Sequence, residues 1–348
     1  MKKLLLTLSL WAACAAQAAD TKIIFIAGRP SHGPLSHEHR AGCLLLQKCL
    51  AGVPGVVTEV HTNGWVSDEK VFEGAAAVVV YSDGGGGHPF LQGDRLQKIG
   101  ALMQKGVGLG AIHYAVEPTT AKGNAEFRDW IGGCFETFWS VNPHWDGDFK
   151  EFPKHPVTSG VKPFKTNDEW YYHMRFRDGM KDVTPILTAL PPERTTGWSK
   201  DKPADAKPST HGGNKDVFAA VVERKEPQHV MWVATRPDGG RGFGFTGGHN
   251  HLGWGNADQR KLVLNTILWI AKRDVPVGGL NLAIVAALAL GDACAGRGAA
   301  IRIEKRIPAA AGLGGGGADA AATLHALNEL WGCGLDVAAL ATVAERIG

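Results

Sequence analysis

Three short runs decide what this chain can fold into. "TKIIFIAG" (21–28), "AAAVVVY" (75–81) and "VGLGAIHY" (107–114) are almost uncharged, rich in β-branched or small residues and too short for helices. That is the pattern of strands buried on both faces. Between them, "HEHRAGCLLLQKCLAG" (37–52) and "GDRLQKIGALMQKG" (93–106) carry apolar residues at helical spacing, and "GVVTEVHT" (55–62) reads as one more strand. Strand–helix–strand alternation of this kind predicts an α/β fold, a parallel sheet with helices on both faces.

From about Asn142 to Val230 the pattern becomes irregular. "NDEWYYHMRF" (167–176) and "VFAAVVERK" (217–225) read as strands, and "PPERTTGWSKDKPADAKPSTHGGNK" (191–215) as a long exposed loop. "VMWVATR" (230–236) and "GRGFGFTGG" (240–248) return to strand character, and "NADQRKLVLNTILWIAKR" (256–273) is a helix that closes the unit. "DVPVGG" (274–279) reads as a linker, after which Ala and Gly dominate. The expected organisation is a leader over 1–19, a first domain over 20–279 and a second segment over 280–348.

The leader has a positive start (Lys2, Lys3), an apolar stretch (Leu4–Ala13) too short to span a bilayer comfortably, and a small-x-small site at Ala16-Gln17-Ala18. A cleaved export signal is expected, and with it a periplasmic or secreted protein with no membrane segment in its mature form. Net charge is +3 with no long basic run, which argues against nucleic acid as a partner. Beyond Cys14, the five cysteines (Cys43, Cys49, Cys134, Cys294, Cys333) have no framework spacing and are expected to be mostly buried thiols.

In open parallel sheets ligands bind beyond the carboxyl ends of the strands. His32, His37 and His39 follow the first strand, Asp83 and His88 the third, and His113 with Tyr114 ends the fourth. "SVNPHWDGD" adds His144 and Trp145, and "GFTGGHNHLGWGN" adds His249, His251 and Trp254. Loops distant in sequence would thus converge on one edge. His32, Asp83, His88, His113, Tyr114, His249 and His251 are the candidate catalytic residues. His249-x-His251 from an extended segment, with His37 and His39, could hold a divalent metal. Gly84 and Gly85 could present backbone N–H groups to an anion, or simply serve a turn that needs positive φ. Trp145 and Trp254, flanked by Gly, and His144 are candidate contacts to a sugar, whose apolar faces suit flat rings.

The motifs "IIFIAGRPSHG", "SDGGGGHP", "GLGAIHYAVE", "SVNPHW", "NDEWYYHMRF" and "GRGFGFTGGHNHLGWGN", in this order over roughly 21–279, resemble the ThuA-like (trehalose utilization) family. The resemblance implies a flavodoxin-like fold related to class I glutamine amidotransferases and a role in carbohydrate metabolism, on a sugar or keto-sugar. Those amidotransferases carry a nucleophilic Cys on the sharp turn after a central strand. The comparable position here is His113, so a thiol mechanism is not expected. General acid–base work by His and Asp and metal-assisted chemistry both stay open. So does a carbohydrate-binding module without catalysis.

"PAAAGLGGGGADAA" (308–321) reads as a glycine loop feeding a helix, the arrangement that cradles a phosphate. Gly312, Gly314, Gly315, Gly316, Gly317 and Asp319 are its candidate residues. With "NLAIVAALAL" before and "LNELWG" after, the segment resembles the GHMP kinases, most of all 4-diphosphocytidyl-2-C-methyl-D-erythritol kinase of isoprenoid synthesis. That likeness implies ATP as cofactor if the segment works. It covers only a middle slice of such a kinase, without the opening lysine strand or the catalytic Asp, so an incomplete, non-functional α+β fragment joined by fusion is expected.

Overall fold

The computed structural model describes residues 20–203, 205–280, 282–294, 299, 301 and 315–347. The chain begins with β1 (Thr21–Ala27), α1 (His39–Leu50), β2 (Val56–His61), β3 (Ala75–Tyr81), α2 (Arg95–Met103) and β4 (Gly108–Ile112). It continues with α3 (Asn124–Ile131), β5 (Gly133–Cys134), β6 (His144–Phe149), β7 (Phe164–Glu169), β8 (Arg175–Phe176) and β9 (Val183–Ala189). Then come α4 (Lys215–Phe218), β10 (Gln228–Thr235), β11 (Arg241–Phe245), α5 (Ala257–Ile270), α6 (Leu282–Cys294), α7 (Gly315–Trp331) and α8 (Val337–Ile347).

Seven strands form one sheet in the order β2-β1-β3-β4-β11-β10-β9. The first five are mutually parallel, as expected, while β10 runs antiparallel to both neighbours. The reversal follows from the short Arg236–Gly240 connection, which leaves a hairpin as the only reachable geometry between β10 and β11. Along β1 the pleat sends Ile23, Phe25 and Ala27 to one core and Ile24 and Ile26 to the other, each fully buried. Burial of each such Ile or Phe contributes about 1.5–3 kcal/mol. α1 and α5 cover the first face, α2 and α3 the second. Two small antiparallel pairs, β5–β8 and β6–β7, stand outside the main sheet.

Three expectations are corrected. "VFAAVVERK" is helical, with α4 continuing through a wide turn over Ala219–Glu223. The Asn214 side chain accepts from Asp216 N–H and Val217 N–H, capping that start and overriding the β-branched composition. "NDEWYYHMRF" is broken rather than one strand: β7 ends at Glu169 and β8 holds only Arg175–Phe176. Cys294 and Cys333 are joined in a disulfide, while Cys43 and Cys134 are buried thiols and Cys49 is a partly buried one.

The described part of 280–348 is helical. α6, α7 and α8 pack together, and Val285, Ala289, Leu324, Leu327 and Leu340 extend the first core. α7 begins at Gly315, earlier than expected, so Gly315, Gly316, Gly317 and Asp319 lie in helix. Gly312 and Gly314 lie outside the described residues. Among the described residues no helix is long and apolar enough to cross a membrane.

Candidate metal centre at the carboxyl edge

The order β2-β1-β3-β4 places the switch in winding direction between β1 and β3, and loops from both reach one cluster of side chains. His37 comes from the loop after β1, Asp83 from that after β3 and His113 from the turn after β4. His249 comes from the loop after β11, and Glu169 from the last position of β7. The loops after β1 and β11 are zipped together. His37 N–H donates to His249 O (3.1 Å), His251 N–H donates to Leu35 O (2.8 Å), and Ser36 bridges Asn250 in antiparallel fashion.

His113 has φ +56° and His37 φ +50°, conformations that cost a non-glycine residue on the order of 1–3 kcal/mol each. Two such residues in one cluster mark a site whose geometry is imposed by its surroundings. His113 therefore does occupy the sharp turn after the central strand.

The ring contacts fix which nitrogens are free. His37 Nδ1 donates to Asp83 Oδ1 (2.7 Å), an oxygen that also accepts from Ser31 Oγ (2.9 Å). His113 Nδ1 donates to Thr246 O (2.9 Å). In the neutral rings both Nε2 atoms are then bare, yet they lie 3.1 Å apart. His249 Nδ1 is 3.1 Å from His37 Nε2 and 3.1 Å from Glu169 Oε2. His113 Nε2 is 3.6 Å from that same carboxylate oxygen. One ligand atom from each of His37, His113, His249 and Glu169 thus falls within 4.8 Å of the others. Two lone pairs aimed at each other repel unless a cation or proton sits between them. Desolvation holds the His113 ring well below the ordinary imidazole range, opposing protonation there, and the facing His37 ring adds to this. The Glu169 hydrogen bond raises His249.

The carboxylate behind His249 is Asp168, fully buried. It accepts from Gly248 N–H (2.7 Å), Asn250 N–H (3.1 Å) and Glu169 N–H (2.9 Å), so one side chain fixes both the His249 turn and the Glu169 backbone. Burial pushes its carboxyl up, and those backbone bonds pull it down. Asn142 Nδ2 donates to the second Glu169 oxygen (3.2 Å).

The remaining candidates divide. His32 is exposed and stacks on His37 at 3.6 Å between ring centroids, and His144 stands edge-on to His249 at 4.8 Å. Tyr114, half-buried, lies beside His37 and has its hydroxyl pushed up to about 12 by desolvation. Gly84 lies against the Tyr114 and Glu117 carbonyls so closely that a Cβ would overlap both. The Gly85 N–H is spent on Glu117 O (2.8 Å), so it is not free for an anion.

His88 does not join the cluster. Its Nε2 donates to Ala115 O (3.1 Å), its Nδ1 accepts from Phe90 N–H (3.0 Å), and it packs on Phe90 and Phe127. His39 is buried beside Arg29 O (3.2 Å), is pulled down to about 4 by desolvation, and stands outside the four-ligand set. His251 also stays out. Asn250 Oδ1 accepts from Leu252 N–H and starts a tight helical turn, so the expected extended His-x-His pair does not form. Trp145 and Trp254 are 1% and 2% exposed. The first donates to Trp170 O and the second packs on Tyr81 and Phe245, so neither offers an open face to a sugar.

Sequence reading missed Glu169, Asp168 and Glu117. The only signal for the first two was a pair of acids heading an aromatic run, "DEWYY", where a carboxylate is bound to be carried into apolar surroundings.

Comparison with known proteins matches 32–270 to the family described as "Trehalose utilisation" (ThuA) and 281–348 to "GHMP kinases N terminal domain". A ThuA-like protein from Bacteroides uniformis ATCC 8492 superposes with a TM-score of 0.51 over 76% of this chain and 96% of its own, at 16% identity, which shows a shared fold. The C-terminal segment is 53% identical over 76 residues to a 4-diphosphocytidyl-2-C-methyl-D-erythritol kinase of Synechococcus sp. (strain JA-2-3B'a(2-13)), covering 22% of this chain and 24% of that protein. It is 54% identical over 76 residues to the enzyme of the same name from Pelotomaculum thermopropionicum, covering 22% of this chain and 26% of that one. The chain spans about a quarter of the length of these relatives.

Proposed function

Because the chain belongs to the trehalose-utilisation (ThuA) family, we propose that it is an exported protein acting on a sugar or keto-sugar at the histidine cluster, with His37, His113, His249 and Glu169 holding a divalent metal. The observation that carries this reading is the pair of buried Nε2 atoms 3.1 Å apart whose partner nitrogens are already committed to Asp83 and Thr246. Three imidazoles and one carboxylate suit zinc, or manganese or iron, and carboxylate or carbonyl partners behind the rings are the usual support of such ligands. A bound ion supplies Lewis acidity toward a carbonyl or hydroxyl oxygen. Asp83 and Thr246 O orient the rings, and Asp168 holds the His249 turn. Tyr114, His32 and His144 adjoin the cluster and would supply hydrogen bonds to sugar hydroxyls. Export is supported by the Lys2/Lys3 and Leu4–Ala13 pattern and by the Cys294–Cys333 disulfide, a bond that persists in oxidising compartments.

A binding module built on aromatic platforms loses its support with the burial of Trp145 and Trp254. For kinase chemistry in 281–348, no observation at the described residues competes with the cluster.

The test is metal content by mass spectrometry on the purified full chain and on a His37→Ala, His249→Ala double variant. Near-stoichiometric zinc, manganese or iron in the first and none in the second is expected. No metal in the unaltered protein overturns the metal reading and leaves the rings only proton transfer.

A further inference from the structure

Glu117 is 2% exposed and lies four residues beyond His113, outside the four-ligand set. Both its oxygens face one nitrogen, His211 Nε2, at 3.0 and 3.2 Å. His211 comes from the long loop after β9, far away in sequence. The loop's two stems meet at Gly197, Gly212 and Gly213. A Cβ at Gly197 would overlap the Gly212 carbonyl, and one at Gly213 the Thr196 carbonyl, so side chains there would force the stems apart. Phe138 N–H donates to Thr210 O (2.9 Å) and ties the stem to the domain beside His211. The His211 ring stacks on Phe135 (5.2 Å), Phe135 packs on Tyr171 (5.4 Å), and Tyr171 packs on His113 (5.0 Å). The pair therefore flanks the histidine cluster, with two aromatic rings, Phe135 and Tyr171, packed between His211 and His113. With Nε2–H held by a buried carboxylate, Nδ1 is the lone-pair nitrogen, and it makes no hydrogen bond among the described residues.

We propose that Glu117 and His211 form an acid–base dyad serving the ligand bound at the histidine cluster, with Glu117 orienting the ring and His211 Nδ1 exchanging a proton with the carbon next to a sugar carbonyl. This rests on the reading of that cluster as a sugar-processing site. In the step the C–H bond breaks, its proton passes to Nδ1, and the electron pair moves onto the carbonyl carbon–oxygen unit as an enolate. Return of the proton restores the ketone, and nothing is oxidised or reduced. A base fixed by a carboxylate at its far nitrogen is a recurrent catalytic arrangement. The Glu117 bond raises His211, while burial pushes Glu117 itself up. The charged groups facing the ring are Glu117 and Glu169, and Tyr114 and Tyr171 are the other titratable groups around Glu117.

The experiment follows deuterium incorporation by NMR. The full chain is incubated in D2O with a panel of keto-sugars that includes D-fructose and a 3-keto-glucoside, and metal content is measured in parallel. His211→Ala is expected to lower exchange by at least about 100-fold, with metal content unchanged and partial rescue by added imidazole, and to lower the thermal midpoint because the buried Glu117 carboxylate loses its partner. Glu117→Gln is expected to move the rising limb of the pH profile to lower pH, because the ring loses the carboxylate that raises it. His211→Gln, which keeps a donor to Glu117, should fold as the parent and stay inactive. Exchange within threefold of the parent in His211→Ala overturns the dyad, as does a metal-bound parent that exchanges none of the panel. A metal-free parent overturns the metal reading instead, and the His211 variants then judge the dyad alone.

Discussion

His88 and His113 are both wholly buried histidines on loops at the carboxyl edge, and they have opposite uses. Backbone satisfies both nitrogens of His88, Nδ1 from Phe90 N–H in its own turn and Nε2 from Ala115 O after β4, in an aromatic nest. His113, on the turn after β4, has one nitrogen bonded to Thr246 O just after β11 and the other aimed at two more rings and a carboxylate, on a backbone held at positive φ. A buried polar atom without a partner costs a fold several times what a made bond returns. Where such atoms face one another, a cation or a proton has to sit between them, and the metal proposed above is one such partner.

The comparison breaks most sharply on His113→Gly, a residue that fits φ +56° without strain. Metal affinity should fall by more than about 100-fold, beyond what removing a residue behind a ligand costs, with the fold retained by circular dichroism. Next, His88→Ala should cost about 2–4 kcal/mol of unfolding free energy in urea, from the cavity and the stranded Phe90 N–H, with metal content untouched. Metal loss there would mean the two histidines are not separate in use. Asp83→Asn keeps the shape behind His37 but weakens its orientation, and should lower metal affinity by roughly 10–100-fold. The smallest test is acid. His39 and His88 are both pulled down to about 4 by burial, so the unfolded chain takes up their protons first. Their contribution is whole above the ordinary imidazole value, about 6.5, and drains away as pH falls toward 4. The urea midpoint should drop over that window, and drop less in His88→Phe.

The sheet was legible because β1, β3 and β4 are apolar throughout, and burial on both faces leaves few other structures for such short runs. The switch to helix at 215–223 was not, since one capping Asn outweighed a run of β-branched residues. In the site, His37, Asp83, His113 and His249 could be named from their places just after strands. Glu169 could not, because β6–β7 stands outside the sheet whose edge guided the reading. His39 and His251 failed for a local reason: a ligand pair inferred from spacing needs a known backbone, and both sit at helical starts. Trp145 and Trp254 failed because glycine neighbours do not guarantee open space: both rings are buried, Trp145 donating to Trp170 O and Trp254 packed on Tyr81 and Phe245.

The ladder that zips the loop after β1 to the loop after β11 makes His37 and His249 a single kinetic unit. Neither loop can fray without the other, so a fluctuation that exposes one ligand exposes both. Amide hydrogens of His37 and His251 should exchange with solvent at one common rate, and that opening rate sets the ceiling on how fast a chelator can strip the centre.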